Sequence, residues 1–175
     1  MSSVSRYLKS HLAMRLNAQA PKDTWISPGI FTTGDLAAGW AAFRDIAVMP
    51  EPREFDPLDR NVVANPSILM EVTINVTERV DRGIKLRRYR ALPSVEAVAI
   101  VSHRRPHVEI HWRAGGAWTV TEATSGTTAV AGYVLDLRDL YEDYSNNAPT
   151  HNGPEFTHPG TGHVDRVTDV GRGRS

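Results

Sequence analysis

One segment constrains this chain more than any other: an apolar run at residues 68–74 is interrupted by an acid, Glu71, and a strongly charged helical pattern follows directly. Bulky, nearly continuous apolar residues are typical of a strand that is buried on both faces of a sheet. A carboxylate at the centre of such a strand is costly unless it is paired or binds a metal. The segment therefore predicts a buried strand with a compensated or functional acid.

A second acid, Asp45, stands beside another apolar run at residues 46–49. Side chains alternate between the two faces of a strand, so Glu71 and Thr73 are expected to share a face. If the two strands are neighbours, Asp45 and Glu71 converge on one hard divalent ion, Mg²⁺ or Mn²⁺. Mg²⁺ is commonly held by one or two carboxylates, with water and substrate phosphate completing its shell.

The charged pattern predicts a helix over residues 77–91, and Lys85 lies one turn after Asp81 on it. An ammonium group near the two acids would position the attacking water or stabilise developing negative charge. Several arginines are candidates for contacts with a phosphate backbone. They are Arg82 and Arg88 on the helix, and Arg104 and Arg105 in the turn after the next strand.

Each of these residues also has a plain structural alternative. Glu71 is compatible with a satisfied or edge-strand acid, and Asp45 with the mere start of its strand. Lys85 and the helix arginines are compatible with a solvated face that is paired with nearby acids. The residues taken singly leave these alternatives open.

The order of elements predicts an α/β fold. An amphipathic helix is expected from residue 2 or 3 to about residue 18, with Leu8, Leu12 and Leu16 on one stripe. Strands are expected at 25–31, 46–49, 68–74, 95–101, 107–113 and 117–122. Residues 32–35 are interpreted as a turn, 36–43 as ambiguous or helical, and the proline-rich segment 50–66 as a loop.

Composition sets the remaining limits. The 175 residues predict one domain at 1–144 and a polar, low-complexity, flexible tail at 145–175. Equal numbers of acidic and basic side chains, 20 each, argue against a globally basic nucleic-acid-binding surface. The absence of cysteine excludes disulfides and thiolate sites. No signal peptide or membrane-spanning run is present, so a cytoplasmic protein with no membrane partner is expected.

Taken in order, these motifs resemble those of a known family. Arg-Asp-Ile-Ala-Val at 44–48 resembles a Pro-Asp-apolar segment, and Asn-Pro-Ser-Ile-Leu-Met-Glu-Val-Thr at 65–73 resembles a Pro-x-Leu-Val-Val-Glu-Val-Leu-Ser segment. Residues 77–89 resemble a Ser-Thr-x-x-x-Asp-x-x-x-Lys-x-x-x-Tyr helix, and two strands follow at 95–101 and 107–112. In these motifs, the chain resembles the Uma-type, restriction-endonuclease-like family of the PD-(D/E)XK nuclease superfamily.

This resemblance implies a restriction-endonuclease-like core, a mixed central β-sheet flanked by helices, with a Mg²⁺ site. Asp45 and Glu71 match its metal ligands. Thr73 stands where the superfamily has a strand lysine, and Lys85 matches a lysine that has moved to the helix. Asp81 matches the acid of that helix, which would orient Lys85 or a water. A homodimer is a further expectation, since many restriction-type nucleases pair two sites.

Three positions depart from the family pattern: Arg44 replaces the proline before Asp45, an N-terminal hairpin with an extra acid is missing, and Ser102-His103 replaces an aspartate. The leading hypothesis is a Mg²⁺-dependent enzyme that hydrolyses phosphodiester bonds in nucleic acid, with DNA favoured. The alternative is a catalytically silent binding or assembly module with the nuclease fold, which zero net charge favours. A sequence-specific regulator ranks below both, because no helix-turn-helix pattern is present.

Overall fold

A mixed sheet forms the centre of the molecule. The computed structural model describes residues 3–29, 32–73 and 79–147, with side chains described throughout except at 3–5, 32, 79–82 and 143–147. The helices are α1 Ser3–Asn17, α2 Arg79–Ala91 and α3 Leu137–Asn147. The strands are β1 Thr24–Pro28, β2 Thr32–Asp35, β3 Trp40–Phe43, β4 Ile46–Pro50, β5 Phe55–Asp56, β6 Asp59–Val63, β7 Ile68–Thr73, β8 Ala97–Ser102, β9 Val108–Ala114, β10 Ala117–Ala123, β11 Thr127–Val130 and β12 Tyr133–Asp136.

Six strands make up the large sheet, in the order β1-β4-β7-β8-β9-β10. Strands β7 and β8 are parallel and are connected through α2, whereas the other neighbours are antiparallel. A parallel pair needs such a crossover, and its strands carry continuous apolar side chains because both faces are covered. The prediction of an α/β fold with a mixed central sheet flanked by helices is confirmed.

The two faces of the large sheet pack against different elements. Helices α1 and α3 and the β11–β12 hairpin cover one face, and Leu8, Leu12 and Leu16 of α1 are completely buried there. This confirms the apolar stripe expected from the four-residue spacing. Helix α2 and a second, smaller sheet cover the other face around Leu69 and Tyr89. Glu71 and Thr73 follow Leu69 with a period of two, so they point towards this second face.

The smaller sheet corrects two of the sequence predictions. Its four strands have the order β3-β2-β6-β5. Residues 32–35 form strand β2 rather than a turn, and the predicted loop at 50–66 contains β5 and β6. These strands hold few apolar residues, and pairing with neighbours rather than local propensity makes them extended. The ambiguous segment 36–43 is a turn followed by β3.

The two hairpins near the C-terminus have tight turns. Gly115 and Gly116 join β9 to β10 with φ angles of 56° and 85°, a left-handed conformation that glycine adopts at little cost.

The boundary placed before residue 145 stays a prediction: the backbone of α3 continues to Asn147, and residues 148–175 lie outside the described part of the chain. No helix in the described ranges is long and apolar enough to span a bilayer.

Candidate active site

The two candidate acids are neighbours on the large sheet. Strands β4 and β7 pair antiparallel with Ile46 opposite Met70, so Asp45 and Glu71 occupy the next positions on the two chains. Asp45 directly precedes β4 rather than lying within it. Its Oδ2 accepts a hydrogen bond of 2.7 Å from the backbone N–H of Val72. This bond fixes the Asp45 carboxylate beside the strand that carries Glu71.

Helix α2 supplies two partners to Glu71. The hydroxyl of Tyr89 donates a hydrogen bond of 2.7 Å to Glu71 Oε1, and Lys85 Nζ lies 3.2 Å from the same oxygen. The two residues are four apart, so they extend from the same side of the helix. Lys85 Nζ also donates to the backbone oxygen of Phe43, at 3.2 Å. The helix is thereby attached both to β7 and to the end of β3.

Burial dominates the electrostatics of Glu71. Removal from water raises the pKa of its carboxyl above the usual value, and the negative charge of Asp45 adds to the rise. The hydrogen bond from Tyr89 and the ammonium of Lys85 oppose the rise without cancelling it. Burial, reinforced by Glu71, also raises the pKa of the Tyr89 hydroxyl well above its ordinary value. The hydroxyl is therefore a hydrogen-bond donor at neutral pH.

A second lysine, on the opposite side of the sheet, pairs with the other acid. Lys9 of α1 places Nζ 2.5 Å from Asp45 Oδ1, and the two side chains are only 16% and 18% exposed. Both oxygens of Asp45 therefore have a donor, one from the backbone and one from α1. Sequence reasoning missed Lys9, which lies on a helix far away in the chain.

A third cation is buried beside the acids. Arg44 is 2% exposed, and none of its guanidinium nitrogens has a hydrogen-bond partner in the described part of the chain. Burial lowers its pKa to about 10, while the nearby Tyr89 and Glu71 act in the opposite direction. The site thus brings together three cationic side chains and two carboxylates. One positive charge is in excess when all five are ionised.

The remaining predicted residues are dispersed around this centre. Thr73 ends β7, and its backbone oxygen accepts a hydrogen bond of 2.5 Å from His103 Nδ1. Arg88 lies 5.7 Å from the ring centroid of Trp40, in a cation–π contact. Asp81 and Arg82 lie on α2, but their side chains are outside the described part. Exposed side chains of Arg104 and Arg105 follow the end of β8, at the same sheet edge as Thr73.

The donor set fits a hard divalent ion with mostly non-protein ligands. Within the described ranges, no group of three or more His, Asp or Glu side chains converges, so Asp45 and Glu71 are the carboxylates available. One or two carboxylates suffice for Mg²⁺ when water and phosphate supply the other oxygens. An ion bound to Asp45 Oδ1 would lie next to the positive charge of the Lys9 ammonium.

Two residues that were given no role in the sequence analysis had a signal in the sequence, and one of them is the tyrosine that ends the helix motif. Tyr89 follows Lys85 by four residues, the spacing that places both on one side of a helix. Lys9 is one of only three lysines among the 20 basic residues, the others being Lys22 and Lys85. In a chain that uses arginine for most of its positive charges, the two lysines at the acids stand out. For Arg44, the sequence signal was its position next to Asp45.

Comparison with known proteins supports the fold. No family model matches the chain, and no curated protein matches it significantly. Among solved structures, a candidate nuclease of the DUF820 group from Anabaena variabilis is similar, with a TM-score of 0.60 and 13% identity. The match covers 81% of this chain and 82% of that one. At this identity the similarity concerns the architecture, which is that of a nuclease-like α/β protein.

Proposed function

We propose that this protein is a Mg²⁺- or Mn²⁺-dependent nuclease that hydrolyses phosphodiester bonds in nucleic acid, with DNA as the favoured substrate. The observation that carries the proposal is the meeting of Asp45, Glu71 and Lys85, which come from the residue before β4, from β7 and from α2. The shared fold of a candidate nuclease supports it. Membership in the Uma-type branch of the PD-(D/E)XK superfamily is part of the same proposal.

Asp45 and Glu71 would hold the ion in this mechanism. When bound, such an ion activates water and neutralises negative charge on the phosphate. Lys85 would donate a hydrogen bond to the attacking water or to the developing negative charge, since its Nζ already lies 3.2 Å from Glu71. Tyr89 fixes the orientation of the Glu71 carboxylate. Asp81 would orient Lys85 from one turn earlier on α2.

The basic residues would hold the nucleic acid backbone. Arg104 and Arg105 are exposed at the sheet edge where β7 and β8 end, and Arg82 and Arg88 lie on α2. Contacts of this kind position a duplex without reading its sequence. A local set of arginines is compatible with zero net charge for the whole chain. A homodimer, in which two such sites act on two strands, stays a prediction.

A cleavage assay tests the proposal. Labelled DNA and RNA are incubated with the wild type in Mg²⁺, Mn²⁺ or EDTA, next to Glu71→Gln and Lys85→Met. Glu54→Gln and Lys22→Met are matched controls, because both residues are exposed and outside the site. We expect metal-dependent cleavage that falls by about a hundredfold or more in the two site variants. The controls should cleave like the wild type.

Cleavage that survives both site substitutions would point to a contaminating nuclease. The silent module is the second candidate, and the pairing of each carboxylate with a lysine favours it, since the acids need no metal to be compensated. In that case the wild type binds DNA in a fluorescence-anisotropy titration but cleaves no substrate in any metal. Binding would then be insensitive to EDTA.

A further inference from the structure

The position of Lys9 has a role that the proposed mechanism does not use. Its ammonium lies 2.5 Å from Asp45 Oδ1, whereas Oδ2 accepts the hydrogen bond from Val72. A divalent ion bound to Oδ1 would therefore lie next to a like charge, which opposes its binding. We propose that Lys9 is a displaceable counter-ion that disfavours metal binding in the free protein and couples the binding of metal to that of nucleic acid.

The choice of lysine supports displacement. A guanidinium forms two parallel hydrogen bonds with a carboxylate and is held in a fixed orientation, whereas an ammonium is a compact charge on a flexible stem. The chain has 17 arginines and three lysines, yet lysines face both acids of the site. A cation that has to leave the carboxylate and return is better built from lysine.

The charge balance supports coupling. Lys9, Lys85 and Arg44 already exceed the two acids by one positive charge, so a divalent ion alone would leave three uncompensated charges. The phosphates of a nucleic acid supply negative charge that offsets this excess, so the ion binds more favourably. Ion and nucleic acid then bind with positive cooperativity, which has the same size measured from either ligand.

This inference rests on the proposed function, because it assumes that Asp45 is a metal ligand. Mn²⁺ binding to the full chain is measured by titration calorimetry, without nucleic acid, for the wild type and Lys9→Met. Lys22→Met is the matched control, since it removes an exposed lysine away from the acids. We expect Lys9→Met to bind Mn²⁺ about tenfold more tightly, because a like charge next to the ion is gone. The control should bind like the wild type.

The coupling has its own readout. A short DNA duplex with hydrolysis-resistant phosphorothioate linkages should tighten Mn²⁺ binding in the wild type, and by a smaller factor in Lys9→Met. A purely structural Lys9 would change the melting temperature of the protein but would not raise its affinity for Mn²⁺. Lys9→Arg provides a second variant that keeps the charge, and it should bind Mn²⁺ no more tightly than the wild type does.

The two ways of failing are distinguishable. If Asp45→Asn abolishes Mn²⁺ binding but Lys9→Met leaves it unchanged or weaker, the metal site stands and the role of Lys9 is wrong. If neither the wild type nor Lys9→Met binds Mn²⁺, both the metal site and the counter-ion are wrong. Tighter binding by Lys9→Arg would also overturn the proposal, even if Lys9→Met failed to fold.

Discussion

At the residue scale, opposing effects determine the pKa of Glu71. Burial favours its neutral form, while Tyr89 and Lys85 favour the carboxylate. The net result is a raised pKa, which means that ionising Glu71 is harder in the folded protein than in the unfolded chain. A residue of this kind makes the stability of the metal-free protein depend on pH.

The first prediction is that metal-free wild type loses stability relative to Glu71→Gln as the pH rises from about 4.5, the usual value for glutamate, through the raised pKa of Glu71. Below that window Glu71 is protonated in both folded and unfolded states, so the difference is constant. Urea unfolding in EDTA at a series of pH values measures it. A wild type that gains stability over Glu71→Gln across this window would contradict the prediction.

A pair of tyrosines separates the contribution of the Glu71 contact. Tyr89→Phe removes a donor to the Glu71 carboxylate, whereas Tyr141→Phe removes a donor to the backbone oxygen of Ser102; both rings are buried. We expect Tyr89→Phe to cost about 1–3 kcal/mol of unfolding free energy where Glu71 is ionised, and less at low pH. The loss in Tyr141→Phe should be independent of pH in the same urea experiments.

At the scale of elements, the β2–β3 pair is held closely together at one glycine. A Cβ atom on Gly34 would lie 2.5 Å from the backbone oxygen of Trp40 and 2.6 Å from Ala41 Cα. Neither is the end of a flexible side chain, so the strands themselves would have to separate. Gly83, on helix α2, has open space around the same position.

These two glycines predict opposite outcomes for one substitution. Gly34→Ala should destabilise the protein by about 2 kcal/mol, because it overpacks a backbone contact. Gly83→Ala should stabilise it by about 1 kcal/mol, because alanine is the better helix former and meets no neighbour. Thermal and urea unfolding of both variants measure the effects. A Gly34→Ala variant as stable as the wild type would show that the hairpin tolerates the added methyl group.

The sequence predicted elements unevenly, for physical reasons. Helix α1 and the strands β4, β7 and β8 were recognisable because their apolar residues follow the period of the element and face a core. The small sheet was not, since β2 reads Thr-Thr-Gly-Asp and β6 has apolar residues only at its end. Their extended conformation depends on partners distant in the chain, which a local pattern does not contain.

The candidate site was predictable only in part. Glu71 and Lys85 were identifiable because an acid in an apolar strand and a lysine one helix away form a local pattern. Lys9 had only its residue type as a signal and Arg44 only its position next to Asp45, and the contact of Lys9 with Asp45 results from how α1 packs on the sheet. Local sequence predicts which residues are unusual, and tertiary structure determines which of them meet.

At the scale of the whole molecule, the sequence predicts that one domain carries the fold. The polar, low-complexity composition of residues 145–175 predicts that this segment adds nothing to the core. We therefore predict that a chain ending at Asn147 has the same unfolding temperature, and the same Mn²⁺ affinity, as the full chain. Calorimetry of both forms measures these. A lower unfolding temperature in the shorter form would assign residues 148–175 a part in the fold.

Asp45 lies in the two-residue connection between a strand of the small sheet and a strand of the large sheet. Phe43 ends β3 of the small sheet and Ile46 begins β4 of the large one, so only Arg44 and Asp45 lie between these two strands. A shift of β3 relative to β4 would therefore act directly on Asp45 and change the separation of the Asp45 and Glu71 carboxylates. If the proposed function is correct, that separation determines how well the two acids can share one ion.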